Sequence, residues 1–335
     1  MRVLSKLHAE KGIWQEDKPV PEICQDEVLI KISKTAICGT DVHIYNWDHW
    51  SQKNVPIGTT LGHEYVGVVE AIGSTVTNVE VGDRVTSEGH IVCHQCRYCL
   101  DKVYHLCPHT LGTGIHRDGA FAEYVAVPAF NVIRIPEFVS DETAAILDPF
   151  GNAVNSIYKA IKEGSERVLI TGAGPIGIMA ALTLQKMNIH VTVYDIREHR
   201  VKLARQMGVK HVLNPESTLF SDQLNYDCGI EMAGSYEALE VLLERVDNGS
   251  NVAVLGVAPT KRNLCLHNLI FKEISLKGVY GREMYQTWTQ MFALLSEGLN
   301  IEQVITHEYH VDDFDEAFRM AASGDAGKVL IDWSE

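Results

Sequence analysis

A glycine-rich loop between a predicted strand and a predicted helix places the strongest constraint on the fold. The segment RVLITGAGPIGIMAA puts Gly172, Gly174 and Gly177 in G-x-G-x-x-G spacing, directly after an apolar strand pattern. The first glycine permits a tight turn, the second lets the backbone approach a pyrophosphate, and the third allows close helix packing. The helix N-terminus offers unpaired N–H groups to the anion. The loop therefore predicts a dinucleotide site.

The residues after Gly151 alternate compact apolar strands with amphipathic helical stretches, which predicts a parallel sheet built from βαβ units. Six strands, enough for a doubly wound α/β fold, are predicted at RVLIT, HVTVYD, HVL, DCGIE, NVAVLGV and SLKGVY. The second strand ends in Asp195, where a carboxylate accepts hydrogen bonds from ribose hydroxyls and repels the extra phosphate of NADP. NAD is therefore the predicted cofactor.

The residues from Met1 to about Phe150 show a different pattern, with short period-2 segments separated by turn residues. This half is predicted to be β-rich. Near the end of the chain, a helical pattern, DDFDEAFRMAASG, precedes the strand-like KVLIDW. Because the six-stranded sheet is already complete, we expect this tail to return to the first domain. The predicted domains are residues 1–148 with 292–335, and residues 149–291.

Four cysteines in the segment CHQCRYCLDKVYHLC predict a metal site. Their spacing is C-x2-C-x2-C-x7-C, and four thiolates on a short lobe can close a tetrahedral shell around zinc with no open position, which is typical of a structural site. The ligands would be Cys93, Cys96, Cys99 and Cys107. An iron–sulfur cluster and four unrelated buried thiols are the less favoured interpretations.

Composition limits the classes of partner. The chain has 335 residues and a formal net charge of −15, so its average field repels phosphate backbones and anionic lipids. The N-terminal segment lacks the apolar core of a secretory signal. We therefore expect a cytoplasmic protein that binds neither nucleic acid nor membrane. A zinc-ribbon nucleic-acid binder and a catalytically inactive NAD-binding protein remain the alternatives from other classes.

Taken together, the glycine loop and the cysteine lobe resemble those of the zinc-containing medium-chain alcohol dehydrogenases. The resemblance extends over both halves, through AICGTDVHIYNWDHW, GHEYVG, GHIVCHQCRYC, LDPFGNAV, GAGPIGIMAA and GVYGREM. It implies a GroES-like β-rich catalytic domain that holds two zinc ions per subunit, and a Rossmann NAD-binding domain. Two of the segments, IYNWDxW and DPFGNAV, are similar to the threonine-oxidising members of the family.

The resemblance also implies an activity and partners. We expect a cytoplasmic homotetramer that oxidises L-threonine with NAD to 2-amino-3-oxobutanoate, in threonine degradation, and passes this product to a CoA-dependent 2-amino-3-oxobutanoate ligase. The alternative within the family is a polyol or secondary-alcohol dehydrogenase. Acidic side chains at Asp41, Asp48 and Glu88 are candidates for recognising the substrate ammonium, although their spacing does not place them in a pocket.

Carried over by position, the resemblance assigns residues that spacing alone does not join. Catalytic zinc would be held by Cys38, His63 and Glu64. A proton relay would run through Thr40 and His43, since a hydroxyl both accepts and donates and an imidazole titrates near neutrality. The cofactor would contact the glycine loop with Ile176, and also Asp195, Arg200, Leu255, Gly256, Val257, Val279 and Tyr280.

Asp148 occupies a position where related enzymes often place Cys or Glu. An aspartate side chain is one carbon shorter than glutamate, so we predict that Asp148 contacts metal-bound water rather than the metal. The tract between Lys210 and Tyr226 is shorter than is typical of the family.

Overall fold

The computed structural model describes residues 1–215, 225–258 and 263–334. The chain divides into two compact units: unit 1 is Met1–Asp148 together with the residues from Ile305 onwards, and unit 2 is Pro149–Val304. The return to unit 1 at Ile305 comes later than the predicted residue 292. Most of the short tract before Tyr226, at residues 216–224, lies outside the described residues.

Unit 1 is β-rich, as predicted. A mixed seven-stranded sheet has the order β16-β17-β3-β4-β5-β9, and β8 pairs with β3 beside this path. Two small antiparallel sheets, β1-β2 and β6-β7, complete the unit. The strands are β1 (Arg2–Ser5), β2 (Trp14–Asp17), β3 (Glu27–Ala36), β4 (Tyr65–Ile72), β5 (Arg84–Ser87), β6 (His90–Ile91), β7 (Leu111–Gly112), β8 (Tyr124–Pro128), β9 (Val132–Arg134), β16 (Ile305–His310) and β17 (Lys328–Asp332).

The tail is held in unit 1 by sheet pairing. β17 pairs antiparallel with β3, with Leu330 opposite Ala36, and the indole N–H of Trp333 donates to Thr35 Oγ1 at 2.9 Å. β16 extends the sheet beyond β17 and was not predicted. The α-helices described in this unit are α1 (Gly39–Asn46), α2 (His49–Asn54), α3 (Arg97–Leu100), α4 (Asp141–Ala145), α11 (Phe314–Ser323) and the start of α5 (Leu147–Ala160).

Unit 2 contains the predicted doubly wound sheet. The six strands are all parallel, and their order is β12-β11-β10-β13-β14-β15. This is the order of dinucleotide-binding folds: β11 and β12 are added on one side of β10, and β13 to β15 are added on the other. The six predicted strands are thus confirmed, although β14 begins earlier than expected. Their bounds are β10 (Arg167–Thr171), β11 (His190–Tyr194), β12 (Val212–Leu213), β13 (Tyr226–Glu231), β14 (Val246–Val254) and β15 (Ser275–Gly278).

The last helix of unit 2 explains why the domain boundary falls late. Its Trp288, Met291 and Leu294 are buried, and Met291 Sδ lies so close to Gly151 that an added Cβ there would meet it at 3.0 Å. This helix therefore belongs to the core of unit 2 rather than to the returning tail. The helices are α6 (Pro175–Lys186), α7 (Glu198–Gln206), α8 (Tyr236–Arg245), α9 (His267–Phe271) and α10 (Gln286–Ser296), together with most of α5. No helix in the described ranges is both long and apolar enough for a bilayer crossing.

Candidate active site and metal centres

The cysteine lobe brings its four sulfur atoms together. Cys93 Sγ lies 3.6 Å from Cys107 Sγ and 4.0 Å from Cys99 Sγ, and Cys96 Sγ lies 3.6 Å from Cys99 Sγ. All four lie within 4.8 Å of one another. This compact set of soft donors, which no fifth group joins in the described part of the chain, suits a closed tetrahedral zinc site.

Local backbone structure positions these thiols. Cys96 lies at the N-cap of α3 and Cys99 lies within that helix, so one turn separates them. Burial raises the pKa of the Cys107 thiol, but the backbone N–H groups of Cys93 and His109 lower it below its ordinary value. At Cys107 the surroundings therefore favour the thiolate, which is the form that binds metal. Burial and the neighbouring Cys96 and Cys107 thiols instead raise the pKa of Cys99 to about 12.

A second cluster is assembled by the pairing of β3 with β4. Thr35 is opposite Tyr65 in this pair, and the Ala36 N–H donates to the Glu64 carbonyl at 2.9 Å. The chain leaves β3 through Cys38, and His63 and Glu64 lie just before β4. One donor atom from each of the three lies within 4.8 Å of the others. The sheet therefore joins residues that are far apart in sequence.

The residue before His63 can only be glycine. Gly62 has φ of +89°, and a Cβ there would lie 2.7 Å from the Phe121 ring and 2.8 Å from its backbone nitrogen. This backbone turn presents His63 beside Glu64, and it accounts for the glycine in the GHEYVG segment.

Buried charges surround this cluster. Glu64 has a fully buried side chain, and Lys328 Nζ donates to its Oε2 and, at 2.8 Å, to the Ile37 carbonyl. Burial raises the pKa of Glu64, and Lys328 opposes that effect. Glu64 Oε1 is buried and has no hydrogen-bond partner among the described residues. A buried carboxylate oxygen that lacks a hydrogen-bond partner is suited to bind a metal ion.

Asp41 lies directly behind the cluster. Its side chain is fully buried; Oδ2 accepts from the Cys38 N–H at 2.9 Å, and Oδ1 lies 3.9 Å from His63 Nδ1. Burial lowers the pKa of His63, but the neighbouring Cys38, Asp41 and Asp148 raise it well above its ordinary value. The sequence interpretation offered Asp41 for substrate recognition, whereas its contacts are with two metal-ligand candidates. Its position three residues after the N-cap, as in a capping box, was the available signal.

Asp148 lies beside the cluster without joining its donor set. It is in the first turn of α5, and an added Cβ at Gly89 would meet Asp148 Oδ2 at 3.7 Å and His63 Cβ at 3.9 Å. The negative charge of Asp148 also raises the pKa of both His63 and Glu64. Among the described residues, the group of mutually close donor atoms nevertheless contains Cys38, His63 and Glu64 without Asp148.

Thr40 and His43 both lie on α1, three residues apart, which puts them on the same face of the helix. Thr40 is partly buried. The His43 side chain is 64% exposed, and its Nδ1 lies 2.7 Å from Asp48 Oδ2. The helix thus leads from Cys38, at its N-cap, toward an imidazole in contact with solvent.

In unit 2, the glycine loop has the geometry that its sequence predicted. Gly172 has φ of +103°, and a Cβ there would lie 2.7 Å from the Ala233 backbone nitrogen. A Cβ at Gly177 would meet the Gly172 carbonyl oxygen at 2.0 Å, whereas Gly174 has open space beside it. Ile176 follows within α6 and is partly buried. A side chain at Gly172 or Gly177 would therefore collide with neighbouring backbone, and the open space at Gly174 lets a ligand approach the backbone there.

Asp195, at the end of β11, is 5% exposed and is hydrogen-bonded to backbone. Its Oδ2 accepts from the Ala173 N–H at 2.8 Å, and its Oδ1 accepts from the Arg197 N–H at 2.8 Å. The acid therefore stabilises the glycine loop directly. Arg200 is buried on α7.

The remaining cofactor candidates lie just beyond the carboxyl ends of two adjacent parallel strands. Leu255, Gly256 and Val257 follow β14, and Val257 is 89% exposed. Val279 and Tyr280 follow β15, and the Val279 N–H donates to the Val254 carbonyl at 2.9 Å. This edge of a doubly wound sheet is where such folds bind ligands.

Comparison with known proteins agrees with this arrangement. Residues 24–137 match the alcohol dehydrogenase GroES-like domain, and residues 175–297 match the zinc-binding dehydrogenase domain. Over 341 residues, covering 99% of each protein, the chain is 47% identical to an L-threonine 3-dehydrogenase of Vibrio parahaemolyticus. The chain therefore belongs to the zinc-containing medium-chain alcohol dehydrogenase family.

Solved structures show the same fold. An Escherichia coli enzyme described as a short chain alcohol dehydrogenase, complexed with cofactor NADH, is 26% identical over 99% of each chain, with a TM-score of 0.88. Galactitol-1-phosphate dehydrogenase from Escherichia coli is also 26% identical over 99% of each chain, with a TM-score of 0.87.

Among the relatives compared by sequence, an L-threonine 3-dehydrogenase of Aeromonas hydrophila is 47% identical over 343 residues, covering all of both proteins.

Proposed function

We propose that this protein oxidises L-threonine with NAD to 2-amino-3-oxobutanoate. The observation that carries the proposal is the donor set of partly buried Cys38 and His63 with buried Glu64, in a chain 47% identical over 99% of its length to an enzyme named for threonine oxidation. The glycine loop of unit 2 supplies the complementary requirement, a place for a dinucleotide that accepts hydride.

Two zinc ions per chain are part of the proposal. Cys38, His63 and Glu64 would hold one, and the four lobe cysteines would hold the other. When bound with an open position, zinc acts as a Lewis acid that lowers the pKa of a substrate hydroxyl. The three close donors are consistent with such a site, since Glu64 Oε1 has no hydrogen-bond partner among the described residues, and four thiolates suit the closed one.

The hydroxyl proton requires a path to solvent. We assign this path to Thr40 and His43, because a hydroxyl can accept and donate at once and an imidazole can release the proton near neutral pH. Their shared face on α1 and the exposure of His43 support the assignment.

Asp148 is proposed to act without binding the metal. Its place outside the three-donor group, yet close enough to raise the pKa of His63, supports a hydrogen-bonding role toward water in the site. A carboxylate in that role would orient the water and assist the proton path.

For the cofactor, Gly172, Gly174, Ile176 and Gly177 would contact the pyrophosphate, and Asp195 with Arg200 would lie at the adenosine side. Leu255, Gly256, Val257, Val279 and Tyr280 would line the nicotinamide end. NAD is preferred to NADP because the carboxylate at Asp195 opposes a second phosphate at the ribose.

We further propose a cytoplasmic homotetramer that supplies a CoA-dependent 2-amino-3-oxobutanoate ligase. All eight cysteines are free thiols, which suits a reducing compartment. β15 is the last strand in the order of the unit 2 sheet and is exposed along its whole length, so it supports pairing with a second copy.

A substrate panel tests the proposed reaction. Zinc-loaded protein is assayed for NAD reduction with L-threonine, D-threonine, sorbitol and 2,3-butanediol, and Cys38→Ser serves as the blank. The highest kcat/KM is expected with L-threonine, together with formation of 2-amino-3-oxobutanoate. Faster reaction with sorbitol or butanediol would instead establish a polyol or secondary-alcohol dehydrogenase, to which the similarity with galactitol-1-phosphate dehydrogenase would then correspond.

A further inference from the structure

The turn between α1 and α2 has an uncommon backbone. Trp47 ends α1 with φ of 53° and ψ of 48°, the left-handed region that a bulky residue rarely adopts. Gln52 Nε2 donates to the Trp47 carbonyl at 2.8 Å, and the Lys6 ammonium lies 4.8 Å from the centre of the indole ring. This conformation is therefore held from both the backbone and the ring.

Lys6 belongs to the loop between β1 and β2, and this loop contacts both the Trp47 ring and the backbone of α1. The Lys6 residue is completely buried, and Nζ donates to the carbonyls of Glu10 and Gly12 at 2.6 and 2.8 Å. The Gly12 N–H in turn donates to the Tyr45 carbonyl on α1 at 2.8 Å. A buried lysine with three such partners, including the face of an aromatic ring, is a strong restraint on that ring.

This turn places Asp48 between two helices. Its Oδ1 accepts from the Ser51 N–H at 2.9 Å and the Ser51 hydroxyl at 2.8 Å, so it caps α2. Its other oxygen, Oδ2, lies 2.7 Å from His43 Nδ1. One carboxylate thus joins the cap of α2 to an imidazole on α1.

The contact decides which nitrogen of His43 carries the proton. An ionised carboxylate is only an acceptor, so Nδ1 must donate to it, and Nε2 of the neutral ring then holds the lone pair. Burial raises the pKa of Asp48, but Ser51 and His43 lower it below its ordinary value, so the carboxylate is ionised near neutrality. Among the described residues, Asp48 Oδ2 is the hydrogen-bond partner found for the His43 ring, and it fixes the orientation of an imidazole that is 64% exposed.

We propose that Asp48 is a positioning residue for the proton path, which holds His43 with Nδ1–H on the carboxylate and leaves Nε2 to accept the proton. The inference rests on the proposed function, in which His43 is the outer member of the relay. It gives a physical reason for the Trp47–Asp48 pair: Trp47 shapes the turn, Lys6 holds Trp47, and the turn brings Asp48 to His43.

The experiment is a double-mutant cycle on the zinc-loaded, full-length protein. The variants are Asp48→Ser, Asp48→Asn, His43→Gln and the double variant Asp48→Ser with His43→Gln. Serine at Asp48 is the matched control for capping, since serine caps a helix about as well as aspartate but is too short for His43. Asparagine keeps the size of the side chain and turns an N–H toward His43, which favours the other tautomer, as in the corresponding change of a serine-protease triad.

We expect His43→Gln to lower kcat about 100-fold, within the usual range for proton transfer by a side chain. Asp48→Ser and Asp48→Asn should each lower kcat roughly 10-fold, with unchanged Tm, zinc content and KM for NAD. In the His43→Gln background, Asp48→Ser should change kcat by less than about twofold, because a residue that acts through His43 has nothing left to orient.

Two results would overturn the inference while leaving the relay intact. In the first, Asp48→Ser lowers kcat equally in both backgrounds, which would mean that Asp48 acts through the stability of α2. In the second, both Asp48 variants keep the original kcat although His43→Gln loses it. If His43→Gln itself keeps full activity, the relay in the proposed function is wrong, and the role of Asp48 falls with it.

Discussion

The two candidate metal centres of unit 1 are built in opposite ways. The lobe draws its four cysteines from one short segment, Cys93–Cys107, whose turns alone bring the sulfur atoms together. The other centre takes Cys38 from the end of β3, and His63 and Glu64 from the entry to β4, so it exists only when those strands pair. A local centre such as the cysteine lobe can stabilise the segment that it cross-links. An assembled centre such as that of Cys38, His63 and Glu64 forms only after the surrounding fold has formed.

The two centres also differ in the side chains that surround their donor atoms. The lobe offers four like ligands, and its group contains no further donor from the residues that the structure describes. Around Cys38, His63 and Glu64 lie Asp41, which contacts two of them, and Lys328, which is bonded to the third. Such outer contacts tune a reactive metal, and a closed structural site does not need them. Four substitutions test this difference.

The largest effect is expected from Cys38→Ser. Loss of a ligand at the assembled centre should lower kcat/KM with L-threonine by at least about 1,000-fold, because the activation of the hydroxyl is lost. Tm should change little, since the fold does not depend on this centre. The assay is steady-state NAD reduction beside a thermal melt. Cys24→Ser, which removes an exposed thiol, should retain full activity.

Cys99→Ser should produce the reverse pattern. Opening the closed shell of the lobe should lower the free energy of unfolding by roughly 4 kcal/mol, in the range of large single-site effects that include loss of a metal. Denaturant unfolding measures this change. Cys228→Ser, at a buried thiol outside the lobe, is the control and should cost much less. Equal costs at both positions would refute a metal-dependent lobe.

Lys328→Met tests the charge balance of the assembled centre. Removing the ammonium leaves Glu64 as an uncompensated buried carboxylate, so the metal-free protein should lose about 3 kcal/mol of stability. Added zinc should raise the Tm of this variant more than that of the original protein, because the cation replaces the missing charge. Lys34→Met, which removes a partly buried cation from three partly exposed acids, should cost less than Lys328→Met, because water still reaches those acids. A zinc-independent Tm for Lys328→Met would contradict the assignment of Glu64.

Asp148→Asn should have the smallest of the four effects. A group that touches water in the site, rather than the metal, should lower kcat about 10- to 100-fold while zinc content stays the same. Metal analysis and steady-state kinetics are done on the same preparation, with Asp141→Asn on α4 as a control. Loss of zinc together with turnover would make Asp148 a ligand instead.

The contrast between the centres also explains what the sequence could predict. The cysteine lobe and the glycine loop depend on contacts within a few residues, so the spacing of the cysteines and glycines in the sequence was enough to predict how they lie in space. Cys38, His63 and Glu64 flank β3 and β4 and are brought together by the pairing of those strands. No spacing rule relates residues that flank separate strands, so only the family resemblance joined them. The partner of Glu64, Lys328, comes from the last strand of the chain and was not anticipated.

Two further residues show the same limit. From the sequence, Asp41 and Asp48 are both candidates for binding the substrate ammonium, because an isolated carboxylate has no local signature of its partner. The structure turns Asp41 inward to Cys38 and His63, and Asp48 toward Ser51 and His43. Side chains at turns acquire their roles from the backbone conformation, here the left-handed Trp47, which the sequence pattern did not predict.

Zinc content per chain tests the central claim most directly. Metal analysis of the full-length protein should give two zinc ions per chain, and one in Cys38→Ser that has lost activity but kept its Tm. One zinc in the original protein, or two zinc ions retained in inactive Cys38→Ser, would contradict the account of an assembled catalytic centre beside a local structural one.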